Sequence, residues 1–324
     1  MKPTVLILGA RGRFGMAAAR AFAAGGWRVL AQCRPGGVVQ NLPGIEWVHV
    51  PLENHPALLR AAQMASVVVH AINVTYTEWA TELLPALEHS IALAAELKAL
   101  LMLPGNVYNF GEAMPTLLTE DTPQLAHTRK GSIRIQMEQR LRSASKSGLI
   151  RSVVIRAGDF FGSGKGSWFD LALAKNIAKG KLTYPGRWDV PTAWAYLPDL
   201  GTAFERVATR SLAAQTGLAA FEVYHFKGYS LTGNDWANVL QPLAQQQKWL
   251  PSGTLLKKGA VPWGLFKAMR WAVPVFFELA EMHYLWQRPH ALTNDKLVAL
   301  IGSEPHTELP QAAKAALTRM GVIS

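Results

Sequence analysis

Near the start of the chain, Thr4 to Gly15 reads T-V-L-I-L-G-A-R-G-R-F-G, an apolar run of β type that breaks into glycines at positions 9, 12 and 15 and opens onto an alanine-rich stretch. Each glycine answers a separate physical demand. Gly9 can turn the chain sharply out of a strand, Gly12 lets backbone approach a diphosphate with no Cβ in the way, and Gly15 lets a helix pack closely on the strand. The helix that follows points its unpaired N–H groups and positive dipole end at the phosphates. The spacing therefore predicts a dinucleotide site, with Gly9, Gly12 and Gly15 as its floor. Sites that bind NAD commonly offer a carboxylate to the adenosine ribose about twenty residues past the glycines. This chain carries Gln32, Cys33 and Arg34 there, with Arg11 and Arg13 inside the glycine turn. Arginines suit a 2′-phosphate, so NADP(H) is the expected cofactor and NAD(H) the alternative.

Groups able to move a proton are few. Tyr108 follows an apolar run, Leu100 to Leu103, and is expected near the end of a strand that faces the cofactor. A phenol there can serve as an acid or simply bury itself with its hydroxyl satisfied. His70 lies inside an apolar strand and reads as a core histidine; His127 sits in a loop before a basic helix, nearer the expected pocket. Asp159 has two roles open to it, contact with substrate or capping of the next turn, and Asp199 in P-D-L reads as a helix N-cap. No metal site is expected, because His283 and His290 lack a spaced carboxylate partner and the single cysteine, Cys33, cannot build a thiolate cluster.

These residues need a scaffold, and the hydrophobic pattern supplies one. Strands are expected at Trp27 to Cys33, Glu46 to Val50, Ser66 to Ala71, Ala99 to Leu103 and Ser152 to Ala157, after the first at Thr4. Helical patterns lie between most of them, the plainest being Glu78 to Lys98 and a basic amphipathic one from about Gly131 to Ser147 that places Ile133, Met137 and Leu141 on one face. Alternation of this kind implies an α/β, Rossmann-type doubly wound parallel sheet. The expected division is a nucleotide-binding unit over residues 1–160 and a smaller substrate-binding lobe over 161–324, with segments around 195–227 returning to the sheet.

Length and composition agree. The chain has 324 residues, 49% of them hydrophobic, enough for one large core and an appended lobe. One cysteine fits a reducing compartment, and Met1-Lys2-Pro3 leads straight into the first strand with no secretory signal, so a cytoplasmic location is expected. Val261 to Trp286 is the most apolar late stretch, but Lys267, Arg270, Glu278 and Glu281 interrupt it, so packed helices are expected there and not a membrane span. A net charge of +11 favours an acidic ligand or surface. Without a nucleic-acid module, the expected partner is a small, anionic substrate.

Taken together, the ordered segments G-A-R-G-R-F-G (Gly9 to Gly15), V-V-V-H-A (Val67 to Ala71), N-V-Y (Asn106 to Tyr108), V-I-R-A-G-D-F-F-G (Val154 to Gly162) and A-Y-L-P-D-L (Ala195 to Leu200) resemble the extended and atypical short-chain dehydrogenase/reductases, the group that includes nucleotide-sugar epimerases and dehydratases. The resemblance runs from Thr4 to about Leu243. It implies a bound nicotinamide cofactor contacted by Phe14, Ala71, Ala157 and Gly158, a substrate pocket near Asp159 and Phe161, and a homodimer. The family's catalytic triad is not reproduced. Its Ser or Thr falls on Pro104. Its Tyr and Lys, four apart, fall on Lys130 and Arg134 when the helix is aligned on Glu138.

A carbonyl that receives a hydride needs a proton on its oxygen. Lys130 is one candidate donor, if neighbouring positive charge depresses its pKa, with Arg134 orienting ribose hydroxyls or an anionic substrate; Tyr108 is the other. Lys130, Arg134 and Glu138 also read as an i, i+4 surface stripe. Three functions follow as expectations: an NADP(H)-preferring oxidoreductase acting on a carbonyl/alcohol of a small substrate, a nucleotide-sugar epimerase or dehydratase, and a non-catalytic NADP-binding sensor that engages a partner through Trp263 to Trp286.

Overall fold

A computed structural model describes residues 2–37, 39–164, 166–213, 218–269 and 274–323. The first half is a regular alternation: β1 (Thr4–Leu8), α1 (Arg13–Ala24), β2 (Arg28–Cys33), β3 (Ile45–His49), α2 (His55–Ala62), β4 (Val67–His70), α3 (Trp79–Leu97), β5 (Leu100–Gly105), a two-residue β6 (Leu117–Leu118), α4 (Arg129–Lys146) and β7 (Arg151–Arg156). The expected strands and helices are all present, with ends shifted by one or two residues, as hydrogen bonding at fraying termini commonly does.

After β7 the elements shorten: β8 (Asp159–Phe161), β9 (Lys181–Tyr184), β10 (Thr192–Tyr196), α5 (Leu197–Leu212), β11 (Phe221–His225), β12 (Tyr229–Leu231), α6 (Gly233–Gln246), β13 (Lys257–Ala260), α7 (Trp263–Met269), α8 (Pro274–Glu281), β14 (Ala291–Leu292), α9 (Asp295–Ile301) and α10 (Leu309–Arg319). The main sheet has seven strands in the order β11-β7-β5-β4-β1-β2-β3, and every neighbouring pair in it is parallel. Order reverses at β1, so the crevice above the carboxyl ends of β1 and β4 is where such sheets hold ligands.

Two apolar layers sandwich this sheet. One gathers α3 and α4 residues with Leu6, Leu8, Leu101 and Leu103; the other gathers α1 and α5 residues with Val5, Ile7, Met102 and Ile155. Alternate strand residues thus feed opposite layers, as the pleat requires. A third core, rich in aromatics, fills the lobe around Phe161, Phe169, Trp194 and Trp236. Among the described residues no helix is long and apolar enough to cross a membrane.

Candidate functional site

The glycine turn has the geometry its composition requires. Gly9 sits at φ +75°, a conformation that side chains rarely adopt, and its N–H donates to Gln32 Oε1 at 2.9 Å. A Cβ on Gly15 would lie 2.5 Å from the Gly9 carbonyl oxygen, so only glycine allows α1 to pack this closely on the turn. Gln32, whose Nε2 donates to the Val50 carbonyl at 2.7 Å, braces the turn.

Above this turn lies a cavity of about 590 Å³ lined by Gly9, Arg11, Gly12, Arg13, Phe14, Arg34 and Ala71 among others. All seven are among the residues expected to hold cofactor. Gly15 does its work from beneath, by packing. Ala157 and Gly158, expected at the same place, line a second cavity of about 770 Å³ together with Asp159. Arg13, Asn73, Val74, Asn106, Arg134 and Phe160 line both, so the two spaces meet along those side chains.

Helix α4 brings Arg134 to that junction. Thr128 caps it by accepting from the Gly131 N–H at 3.1 Å, and Gly131 matters because a Cβ there would come within 2.4 Å of the Tyr108 carbonyl oxygen. Two turns on, Glu138 ties the helix to β7: Arg156 Nη2 and Nε donate to its carboxylate at 2.6 and 3.0 Å, with Gln124 and Asn109 donating as well. The resemblance aligned on this acid, and its job here is to anchor the helix. The expected surface stripe is absent, since Lys130 and Glu138 are buried and Arg134 faces the cavities.

Arg134 is poorly paid for its burial. Its Nη1 reaches the Pro104 carbonyl at 3.4 Å, its guanidinium lies over the Trp79 ring at 4.8 Å, and its buried Nε has no partner. Among the described residues no carboxylate forms a salt bridge with it, and burial lowers its pKa. It remains a cation, with donors to spare at the junction.

Beside it the Tyr76 and Tyr108 hydroxyls are 3.0 Å apart. Both phenols line the second cavity, and burial raises both, Tyr108 well above the usual phenol range. Tyr76 escaped sequence reasoning; it lies on a short 3-10 turn after β4, in T-Y-T-E-W, and only the fold sets it against Tyr108. Asp159 lines the same cavity; burial pushes its carboxyl up to about 6, although Trp286 Nε1 donates to it at 2.8 Å.

Two expected residues lie elsewhere. Lys130 is 1% exposed and lines neither cavity; its ammonium is held by the carboxylates of Glu278 and of Glu281 (3.0 Å) and by the Glu278 carbonyl (3.1 Å). A lysine clamped between two acids, 148 and 151 residues away in sequence, has no free donor for substrate, so the expectation of Lys130 as proton donor is corrected. Phe161, expected at substrate, is buried against Phe169, Trp194, Tyr196 and Trp236. Strand alternation explains this: β8 turns Phe160 to the cavities and Phe161 to the lobe core.

Among the histidines, His127 pairs with Glu112 on the surface, outside both cavities. His70 is a core residue, as expected, but it also touches the first cavity. The Ser90 hydroxyl donates to the Ala86 carbonyl, so it accepts from His70 Nδ1 at 2.7 Å and leaves Nε2 as an unpartnered acceptor. Burial holds this ring neutral, with its pKa down to about 3. Asp199 does not cap α5; its carboxylate accepts from the Thr307 N–H and hydroxyl. Among the described residues no group of three or more His, Cys, Asp or Glu could hold a metal ion.

The first cavity fits a dinucleotide by its own features: a positive-φ glycine turn, a helix N-terminus, three arginines, and unpartnered buried nitrogens on Arg134 and His70 at one end. No family model matches the chain, and no curated protein matches it in sequence. Solved structures do match over their whole length. A UDP-glucuronic acid 4-epimerase from Bacillus cereus, in complex with NAD, is 15% identical with a TM-score of 0.73, covering 98% of each chain. The Bordetella bronchiseptica enzyme WbmH, in complex with NAD+, is 15% identical with a TM-score of 0.72, covering 100% of each. A UDP-glucose 4-epimerase from Thermotoga maritima, with UDP-glucose, is 12% identical with a TM-score of 0.72, covering 98% of each. The chain thus has the Rossmann-type fold seen in these structures, with a seven-stranded parallel sheet at its centre.

Proposed function

We propose that this chain is an NAD(P)-dependent oxidoreductase of the atypical short-chain type, preferring NADP(H), that reduces a carbonyl of a small substrate in the second cavity. The observation that carries the reading is the junction and what lies beside it: an unpaired guanidinium where the two cavities join, and a hydrogen-bonded pair of phenols on the wall of the second. When bound, the nicotinamide supplies the hydride. The chain's own groups supply everything else. Backbone N–H groups at the start of α1 receive the diphosphate, Arg34 and Arg11 take a 2′-phosphate, and Arg134 donates to ribose hydroxyls or to an anionic substrate group.

Tyr76 holds the proton that the substrate oxygen needs, and Tyr108 supports the Tyr76 oxygen from behind. A phenol that burial keeps protonated is the form a carbonyl oxygen needs as it takes up hydride, and it is far more acidic than the alcohol it forms. As phenolate the same group accepts the proton when the reaction runs in reverse. Proton transfer therefore breaks the Tyr76 O–H bond and forms the alcohol O–H bond, and solvent restores the phenol through the open cavity.

A second reading, a nucleotide-sugar epimerase, is favoured by the solved structures of like fold. The experiment that separates them starts with titration of the purified chain with NADPH and NADH, followed by turnover on a panel of small carbonyl compounds and on UDP-sugars. NADPH binding tighter than NADH, with carbonyl-dependent loss of the reduced cofactor, supports the proposal. Interconversion of UDP-sugars with no net cofactor consumption overturns it in favour of the second reading, and absence of any nucleotide binding overturns both.

A further inference from the structure

Eleven large apolar side chains are exposed among the described residues, and four of them belong to elements that line the second cavity: Leu171, Leu265, Met269 and Val275, from 39 to 61% exposed. Leu171 and Val275 are at once exposed and part of the lining of the second cavity, so they stand at its mouth. Leu265 and Met269, one turn apart on α7, flank Phe266, which lines the cavity and stacks on Phe276 of α8 at 4.4 Å; Leu279, one turn on from Val275, lines it too. One apolar surface thus runs from the cavity wall over its rim and outward. Contiguous exposed apolar surface of this kind marks an interaction site.

Charge identifies the occupant. Lys175 and Lys181 line the same mouth, Lys257 is the register partner of Lys181, and Lys179 precedes β9; all four are exposed and none forms a salt bridge among the described residues. The two acids of α8, Glu278 and Glu281, turn inward to Lys130 and Arg129 and leave the outer face without free carboxylates. With a net charge of +11, a second copy of the chain would meet this lysine-flanked face with like charge. An apolar ridge flanked by cations is the pattern of an element that lies in the plane of a membrane surface, its apolar side among acyl chains and its cations at anionic headgroups.

We propose that α7 and α8, with Leu171, form a docking surface for anionic lipid membranes, on which the second cavity opens, so that a substrate dissolved in the lipid enters without crossing water. Entry of a substrate from the lipid rests on the redox reading above, whereas the membrane contact itself does not, and its test needs no turnover. The full chain is sedimented with vesicles of phosphatidylglycerol mixed with phosphatidylcholine and with vesicles of phosphatidylcholine alone. Binding should be about tenfold or more tighter to the anionic vesicles, weaken with added salt, and fall about tenfold in a Leu265→Asp/Val275→Asp double variant. Both positions are exposed, so thermal unfolding should be unchanged; should the double variant not fold, Leu171→Asp makes the same test from a different element. Equal or absent binding to the two vesicle types overturns the proposal. So does binding that the aspartates leave unchanged, or a dimer in solution that the aspartates dissolve, which would make a second copy the occupant.

Discussion

Replacing Asp159 with asparagine should stabilise this protein, and by an amount that depends on pH in a way set by the cavity. The carboxyl titrates at about 6 in the folded chain against an ordinary 3.8, because burial disfavours its charged form by more than the Trp286 N–H and Arg13 favour it. For an acid whose folded value is raised, the folded state binds the proton more tightly than the unfolded state. Stability is therefore lost as pH rises through the window between those values, and the loss is complete above the upper one. A gap of two units corresponds to at most about 3 kcal/mol. Asparagine has nearly the same shape and its side-chain oxygen can still accept from Trp286, so the charge alone is removed.

For a chain of this length, that energy corresponds to a rise in melting temperature of about 4 °C. The assay is thermal unfolding of wild type and Asp159→Asn across the acid to mildly alkaline range. The two curves should converge below about pH 4 and separate to the full difference by about pH 8. Other buried groups titrate too, His70 and His225 among them, but they are common to both proteins and cancel in the difference. A difference that stayed constant with pH, or a variant less stable at the alkaline end, would refute the assignment of a destabilised carboxylate at the substrate wall. The same substitution removes an ionised group from the cavity, so lost turnover with gained stability would identify Asp159 as a residue retained for function.

Four further outcomes are expected. Tyr76→Phe should lower turnover by a factor of about 10² or more while cofactor affinity stays unchanged, measured as kcat against NADPH binding; equal kcat would dismiss Tyr76 as the donor. Arg134→Met should weaken NADPH binding about tenfold or more yet raise the melting temperature, since it deletes a buried cation without a carboxylate partner. Lys130→Met should leave the buried Glu278 with Arg129 as its one remaining cation and cost about 2 kcal/mol in urea unfolding, with kcat altered only a few-fold, because the ammonium lines neither cavity. Arg34→Ala should narrow the preference for NADPH over NADH about tenfold in competitive titration, with NADH affinity unmoved.

The glycine turn and the elements around it are legible in the sequence because every requirement there is local. Strand, turn and helix follow each other within a dozen residues, and Gly9 and Gly15 are dictated by the backbone conformation and contacts of that one turn. The rhythm of apolar runs likewise determined the order of strands and the helices that cover them, since period and length depend only on neighbours in the chain. Even α4 was found with its buried face, Ile133, Met137 and Leu141, correctly placed.

What the tertiary structure decided is where side chains on those elements point and what charge they meet. Lys130 and Arg134 are one turn apart on the same helix, yet one is clamped by Glu278 and Glu281 and the other stands without a carboxylate at the junction of the cavities. Phe160 and Phe161 are adjacent, and the pleat of a three-residue strand sends one to the cavities and its neighbour to the core. Tyr76 and Tyr108 lie 32 residues apart and become a pair only when β4 and β5 lie side by side. Backbone conformation is settled by short-range sterics and periodicity, whereas the acidity and access of a side chain are settled by whichever distant residues the fold packs around it.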